Sequence, residues 1–425
     1  MRKSVLIAAS LAIATFGLEA CSSNAAPGAS KSPPASSGQG LTTQTLRVGM
    51  PYPNLAPVRA LGVDLNQGNW ADAYNALVAN MNAHGGIDGR KILPYIVGVD
   101  PIGTAPSETA CTQLTQDDKV FAALAPVEPD CYLLAHVATI NGTFPGTLPS
   151  GAAPNFSLTP PDNAFDPLQL AVFAKMGAFK GKKVALVGAP SDKSEMSVVQ
   201  STLQKMHVDV VESAIETAPA NDQVAADAQA TSFVQRFKSE GVNEVVGVGS
   251  GSAWASALNN IRSTYNPPWI ATSESSLASI TGGTTKIPAK YLDSVLAATS
   301  TLPDYVVWNE PSIQKCVSIV RKAYPSDKIA TPTPTETGSQ QTATSVIGAC
   351  ENLALFSTIA KAAGKNLNEE TFASAGYGLR NVVLPGSTAP ISFGPGQPYA
   401  IGPVYVVTYD PKTNLLKYAT TASKG

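Results

Sequence analysis

From Leu46 to Ala271 the chain alternates between short apolar runs of strand length and longer segments with apolar residues at helical spacing. That alternation restricts it to parallel sheets with covering helices. Leu46–Met50 reads as a buried strand. Asn69–Ala83 reads as a helix carrying Ala73, Ala76, Leu77, Val78 and Met81, and it ends in His84-Gly85-Gly86, a glycine stop. A strand at Lys91–Val99, a helix at Ser107–Thr115, a strand at Val120–Ala125 and a helix from about Cys131 follow. The pattern restarts after a proline-rich stretch, Pro154 to Pro167. The second run has helices at Gln169–Phe179, Ser194–Met206, Ala225–Glu240 and Ser252–Ser263, and strands at Lys183–Gly188, Val208–Glu212, Glu244–Val248 and Trp269–Ala271. Beyond a strand at Tyr291–Ala297 come helices at Pro311–Ala323 and Ser345–Ala363. A terminal hairpin, Val404–Thr408 with Leu415–Tyr418, closes the chain. A length of 425 residues exceeds one compact core, so two α/β lobes are expected, each a doubly wound parallel sheet. Ligands of such sheets sit beyond the carboxyl ends of the strands, and two lobes facing across those ends would form a cleft.

The N-terminus is of a different kind. Arg2 and Lys3 precede an apolar run from Val5 to Leu18, too short to span a bilayer and typical of a signal-peptide core. Leu18-Glu19-Ala20-Cys21 resembles the lipobox of bacterial lipoproteins, with Glu19 where a small or apolar residue is usual. The resemblance implies that Cys21 carries lipid and anchors an extracytoplasmic protein to the cell membrane; the rival is an ordinary secretory signal. Ser22 to Gly40 lacks core-forming residues, so residues 22–44 are expected to form a flexible tether after the signal peptide, 1–21. A net charge of −2 without a basic run argues against nucleic acid as a partner.

Four further cysteines, Cys111, Cys131, Cys316 and Cys350, allow three pairings. A metal site is disfavoured because no CxxC occurs and the three histidines lie far from ligand spacing. Disulfides suit a secreted chain. Cys111 with Cys131 and Cys316 with Cys350, the pairs nearest in sequence, each close a modest loop, the first around one strand and the second between two late helices, so two disulfides in these pairs are expected.

No enzymatic chemistry is expected, and no cofactor. Gly247-Val-Gly249-Ser-Gly251-Ser has Ser252 where a dinucleotide fingerprint needs its third glycine, and it lies late in its lobe. His84, His136 and His207 have no nucleophile motif beside them. Tyr52 and Trp70 flank the first strand and helix and could stack on a ligand or simply edge the core.

Asn69 to Ile92, NWADAYNALVANMNAHGGIDGRKI, resembles the first helix and turn of type I periplasmic binding proteins, closest to their leucine/isoleucine/valine-binding branch. The resemblance implies three crossings between lobes, near 160, 300 and 385. Lobe 1 would be 45–160 with 300–385, and lobe 2 would be 161–299 with 386–425. It also implies a ligand site contributed by Tyr132, Ser150, Gly151 and Ala152 of the first lobe and Lys193, Ser194, Ser250, Trp254 and Glu274 of the second, with Tyr52 beside them. Tyr132 stands where the branch has hydroxyl side chains, which points away from a plain α-amino acid. Glu274 would receive a ligand cation, facing Tyr132 across the cleft. The function implied is capture of a small polar solute, amino-acid-like or amide-like, by a monomer that delivers it to the permease subunits of an ABC importer. A ligand-sensing receptor domain of the same fold and a secreted hydrolase are the alternatives.

Overall fold

The computed structural model describes residues 38–143, 151–219, 222–249, 257–259, 261, 263–274, 277, 288–334 and 341–419. The predicted helix at Ser252–Ser263 falls largely outside them.

Two sheets carry the fold. The first contains β1 (Thr45–Pro53), β2 (Lys91–Val99), β3 (Ala122–Leu124), β4 (Ala138–Ile140) and β5 (Asn155–Phe156), all parallel, in the order β2-β1-β3-β4-β5. The second contains β6 (Lys183–Gly188), β7 (Asp209–Ile215), β8 (Glu244–Gly247), β9 (Trp269–Ala271) and β10 (Val295–Thr299), in the order β7-β6-β8-β9-β10. Each lobe thus repeats one doubly wound order, with a crevice where the winding reverses, at β1/β3 and at β6/β8. The hairpin β13 (Tyr405–Asp410) and β14 (Leu415–Tyr418) extends the second sheet, β13 running antiparallel to β10.

The segment around α2 (Trp70–Ala83) shows why the local sequence folds as it does. Asn69 caps the helix, its Oδ1 accepting from the Asp72 N–H at 3.2 Å. At the other end Asn82 exchanges two hydrogen bonds with the Ile92 backbone, both 2.8 Å, which fastens helix to strand. Gly86 has φ +66, and a Cβ there would stand 2.0 Å from the Arg90 carbonyl oxygen, so only glycine fits this turn.

Helices cover both faces. The first core gathers Leu46, Val48 and Met50 of β1, Tyr74 and Leu77 of α2, and Leu353, Phe356 and Ile359 of the Thr344–Ala363 helix. On the other face Cys111, Leu114 and Tyr132 pack together. Cys111 is bonded to Cys131 and Cys316 to Cys350, the pairing expected.

Four expectations need correction. The folded body begins earlier than residue 45: Leu41 is buried, bridges Leu46, and follows Gln39, whose amide donates to the Thr115 carbonyl at 3.0 Å. The last crossing falls near 402–404 rather than 385, because Ile391, Phe393 and Ala400 are buried in the first lobe's core while Val404 packs in the second. Helix α5 starts at Asp162, ahead of the proline-rich stretch's end, and runs to Lys175 with Pro167 inside it. β4 and the Glu369–Gly378 helix were not anticipated.

Candidate functional site

The sheet ends carry a cavity of about 600 Å³. Asn141, Gly142 and Thr143 follow β4; Ser157–Pro160, Ser300–Leu302 and Pro403 come from the three chain crossings, and Gly386 and Ser387 from a lobe 1 loop ahead of the last one. Trp70, Gly348, Glu351, Asn352, Asp304 and Tyr405 complete much of the wall. Residues on all three connections between the sheets therefore border one void, whose size suits a small ligand. A second cavity, about 530 Å³, lies on lobe 1 alone, between the β1 end (Tyr52, Asn54), Arg59 and the start of the Thr344–Ala363 helix. Trp70 walls both cavities, its ring against Gly348, where a Cβ would stand 2.6 Å from the indole.

The polar groups of the larger cavity are ordered by internal bonds. Asn141 Nδ2 donates to Asn352 Oδ1 at 2.8 Å, and Asn352 Nδ2 donates to the Tyr74 hydroxyl at 3.0 Å. The Thr143 hydroxyl donates to the Val127 carbonyl. Thr344 donates to Asp304 Oδ2 at 2.6 Å. Burial pushes the Glu351 carboxyl up to about 8, helped by the nearby charges of Asp304 and Glu310. Its side chain keeps accessible area because it borders the void, although protein rings it. Burial also raises Asp304.

A second acidic group lies at the mouth of lobe 2, at the β6/β8 crevice. Gln169 Nε2 donates to Asp166 Oδ1 at 2.8 Å and to the Thr272 carbonyl at 2.7 Å. The Thr272 hydroxyl donates to Glu195 Oε1 at 2.8 Å and accepts from the Gly249 N–H at 3.0 Å. Burial, then the charge of Glu195, raises Asp166; burial chiefly raises Glu195. Asp166 and Gln169 are fully buried.

None of the seven described residues among the binding residues expected from sequence lines the 600 Å³ cavity. Tyr132 is 2% exposed and packs with Cys111 and Leu114 inside lobe 1. It therefore does not reach across to Glu274, which corrects that expectation: the aromatic ring replaces hydroxyls by joining the core. Glu274 accepts from the Tyr418 hydroxyl at the mouth of lobe 2, and Tyr305 packs edge-on against Tyr418 with centroids 6.2 Å apart. Lys193 and Ser194 are exposed, opening α6 (Lys193–Lys205). Gly151 is exposed and Ala152 half-buried, eleven or more residues past the β4 end, where Asn141–Thr143 stand instead. Tyr52 lines the lobe 1 cavity. Ser150, Ser250 and Trp254 lie outside the described residues. Sequence reading missed Asp304, Glu351 and Tyr405, which are far apart in the chain and carry no motif. His84 closes α2, and His136 pairs with Glu369 at 3.3 Å, away from the cavity.

No family model and no curated protein matches the chain. Solved structures do. A fatty acid ABC transporter substrate-binding protein from Thermomonospora curvata aligns with TM-score 0.56 and 16% identity over 91% of this chain and 94% of that one. A substrate-binding protein from Desulfitobacterium hafniense, in complex with Leu, gives 0.59 and 13% over 88% and 100%. The branched-chain amino acid transporter substrate-binding protein LivJ from Streptococcus pneumoniae, in complex with isoleucine, gives 0.55 and 16% over 90% and 100%. The chain has the fold of the type I periplasmic binding proteins, and these neighbours are substrate-binding proteins of transporters rather than enzymes.

Proposed function

We propose that this protein is an extracytoplasmic solute-binding lipoprotein that captures a small polar solute, amino-acid-like or amide-like, and delivers it to the permease of an ABC importer. The observation that carries the reading is the 600 Å³ cavity bordered by all three crossings. A solute there touches segments whose backbone angles must change if the lobes move, so binding and hinge closure are coupled. The transporter proteins that share the fold support the importer assignment. Anchoring through Cys21 rests on the lipobox-like Leu18–Cys21. The test is a thermal-shift screen against amino acids, amides, short peptides, urea and aromatic acids. A true ligand at a hundredfold its Kd stabilises by about 2.7 kcal/mol, a readily visible shift. A screen in which no class moves the melting temperature would overturn the reading.

A further inference from the structure

The solute-binding reading leaves the ligand's charge open, and the cavity wall constrains it. Two carboxylates, Asp304 and Glu351, border the void, and no Lys, Arg or His does among the described residues. Glu351 engages no hydrogen bond or ion pair with any described residue, while Asp304 accepts from Thr344. Three amide and hydroxyl donors of the wall are aimed elsewhere, Asn141 at Asn352, Asn352 at Tyr74 and Thr143 at Val127, while the Ser157, Thr159, Ser300 and Thr301 hydroxyls and the Trp70 indole N–H remain as neutral donors. The only charge the described lining can carry is therefore negative. Trp70 and Tyr405 add aromatic walls, whose faces attract cations. A ligand carboxylate would meet like charge here; an ammonium would meet two carboxylates and two rings.

We propose that the solute carries an organic cation, a primary or quaternary ammonium group, and that Glu351 and Asp304 receive it. The proposal rests on the solute-binding reading and deepens it. Binding has a proton signature. The groups facing Glu351 are Asp304, Glu310 and the Tyr405 phenol, all negative or neutral. Without ligand they leave Glu351 largely protonated at neutral pH. A bound cation favours the carboxylate, so the complex forms with release of a proton, and affinity rises as pH rises from 6 toward 8.

The experiment is calorimetric titration of the full chain with choline, putrescine and L-lysine, with butyramide and butyrate as neutral and anionic probes. It is run at pH 6 and pH 8 and repeated in two buffers of different ionisation enthalpy. At least one cation is expected to bind, several-fold to tenfold or more tightly at pH 8, with proton release. Glu351→Gln is expected to weaken it 10- to 100-fold and to remove the pH dependence, while keeping the ligand-free melting temperature. Asp304→Asn, expected to weaken binding in the same direction, serves if Glu351→Gln does not fold. Binding of butyramide or butyrate but no cation, or unchanged affinity in a folded variant, overturns the cation assignment and leaves solute binding intact. Failure of every probe here, together with failure of the wider solute screen, overturns both.

Discussion

The Asp166–Glu195 pair gives the most quantitative prediction. Asp166 is fully buried, its Oδ1 accepts from Gln169, and its Oδ2 finds no donor among the described residues. Glu195 already takes the Thr272 hydroxyl proton. Two carboxyl groups side by side satisfy one another only when one of them carries a proton. Asp162 and Asp192 add further negative charge, and no cation offsets it in the contacts that set these groups' titration. Both members are raised, so the native state binds more protons than the unfolded chain. Stability from this pair is full below the ordinary carboxylate range, about pH 4, and is lost as pH climbs through the raised native values. One extra native proton gives a slope of about 1.4 kcal/mol per pH unit. Asp166→Asn keeps the shape, offers its amide to Glu195 and does not titrate. Its stability relative to wild type should therefore improve with pH by up to about 4 kcal/mol between pH 5 and pH 8. Urea midpoints for wild type, Asp166→Asn and Glu195→Gln at half-unit steps measure this. Contributions common to all three chains, such as Glu216, which burial raises to about 7, cancel in the difference. Parallel pH profiles would refute the shared proton.

Other consequences are tested more simply. Removing the Cys316–Cys350 bond by a double Cys→Ala change should cost about 3–4 kcal/mol, read by thermal melting; unchanged stability would contradict the chain-entropy argument. Asn82→Ala should cost about 1–3 kcal/mol, because it leaves the Ile92 backbone groups without their side-chain partner. A cost within a few tenths of a kcal/mol in urea unfolding would show that the turn does not depend on it. Cys21→Ala should move the protein from the membrane fraction to the aqueous one, as a folded body; retention in the membrane would contradict the lipid anchor.

The strand–helix alternation made the fold readable. Lys91–Val99, Lys183–Gly188 and Trp269–Ala271 are strands with the expected ends, because each is a continuous apolar run between turn residues. β4 follows the short apolar helix from Cys131 with no glycine or proline between them, so the two read as one segment. The boundary near 385 was misplaced because Phe393 looks like any strand residue, and only its packing on Phe156 ties it to lobe 1. The site was far less legible. Glu351 sits within an apolar helix, Asp304 follows a proline, and Tyr405 opens a hairpin strand; what unites them is a void formed by three separate crossings. Tyr132 failed as a ligand residue for the converse reason, since the same neighbourhood buries it beside a disulfide.

A crystal structure of the protein with a solute found in the screen tests the central claim most directly. Density for the solute should fill the space between Asn141–Thr143, Ser300–Leu302 and Tyr405, touching the crossings between the lobes. Density instead in the lobe 1 cavity beside Tyr52 and Arg59, with the space at the crossings empty, would contradict it.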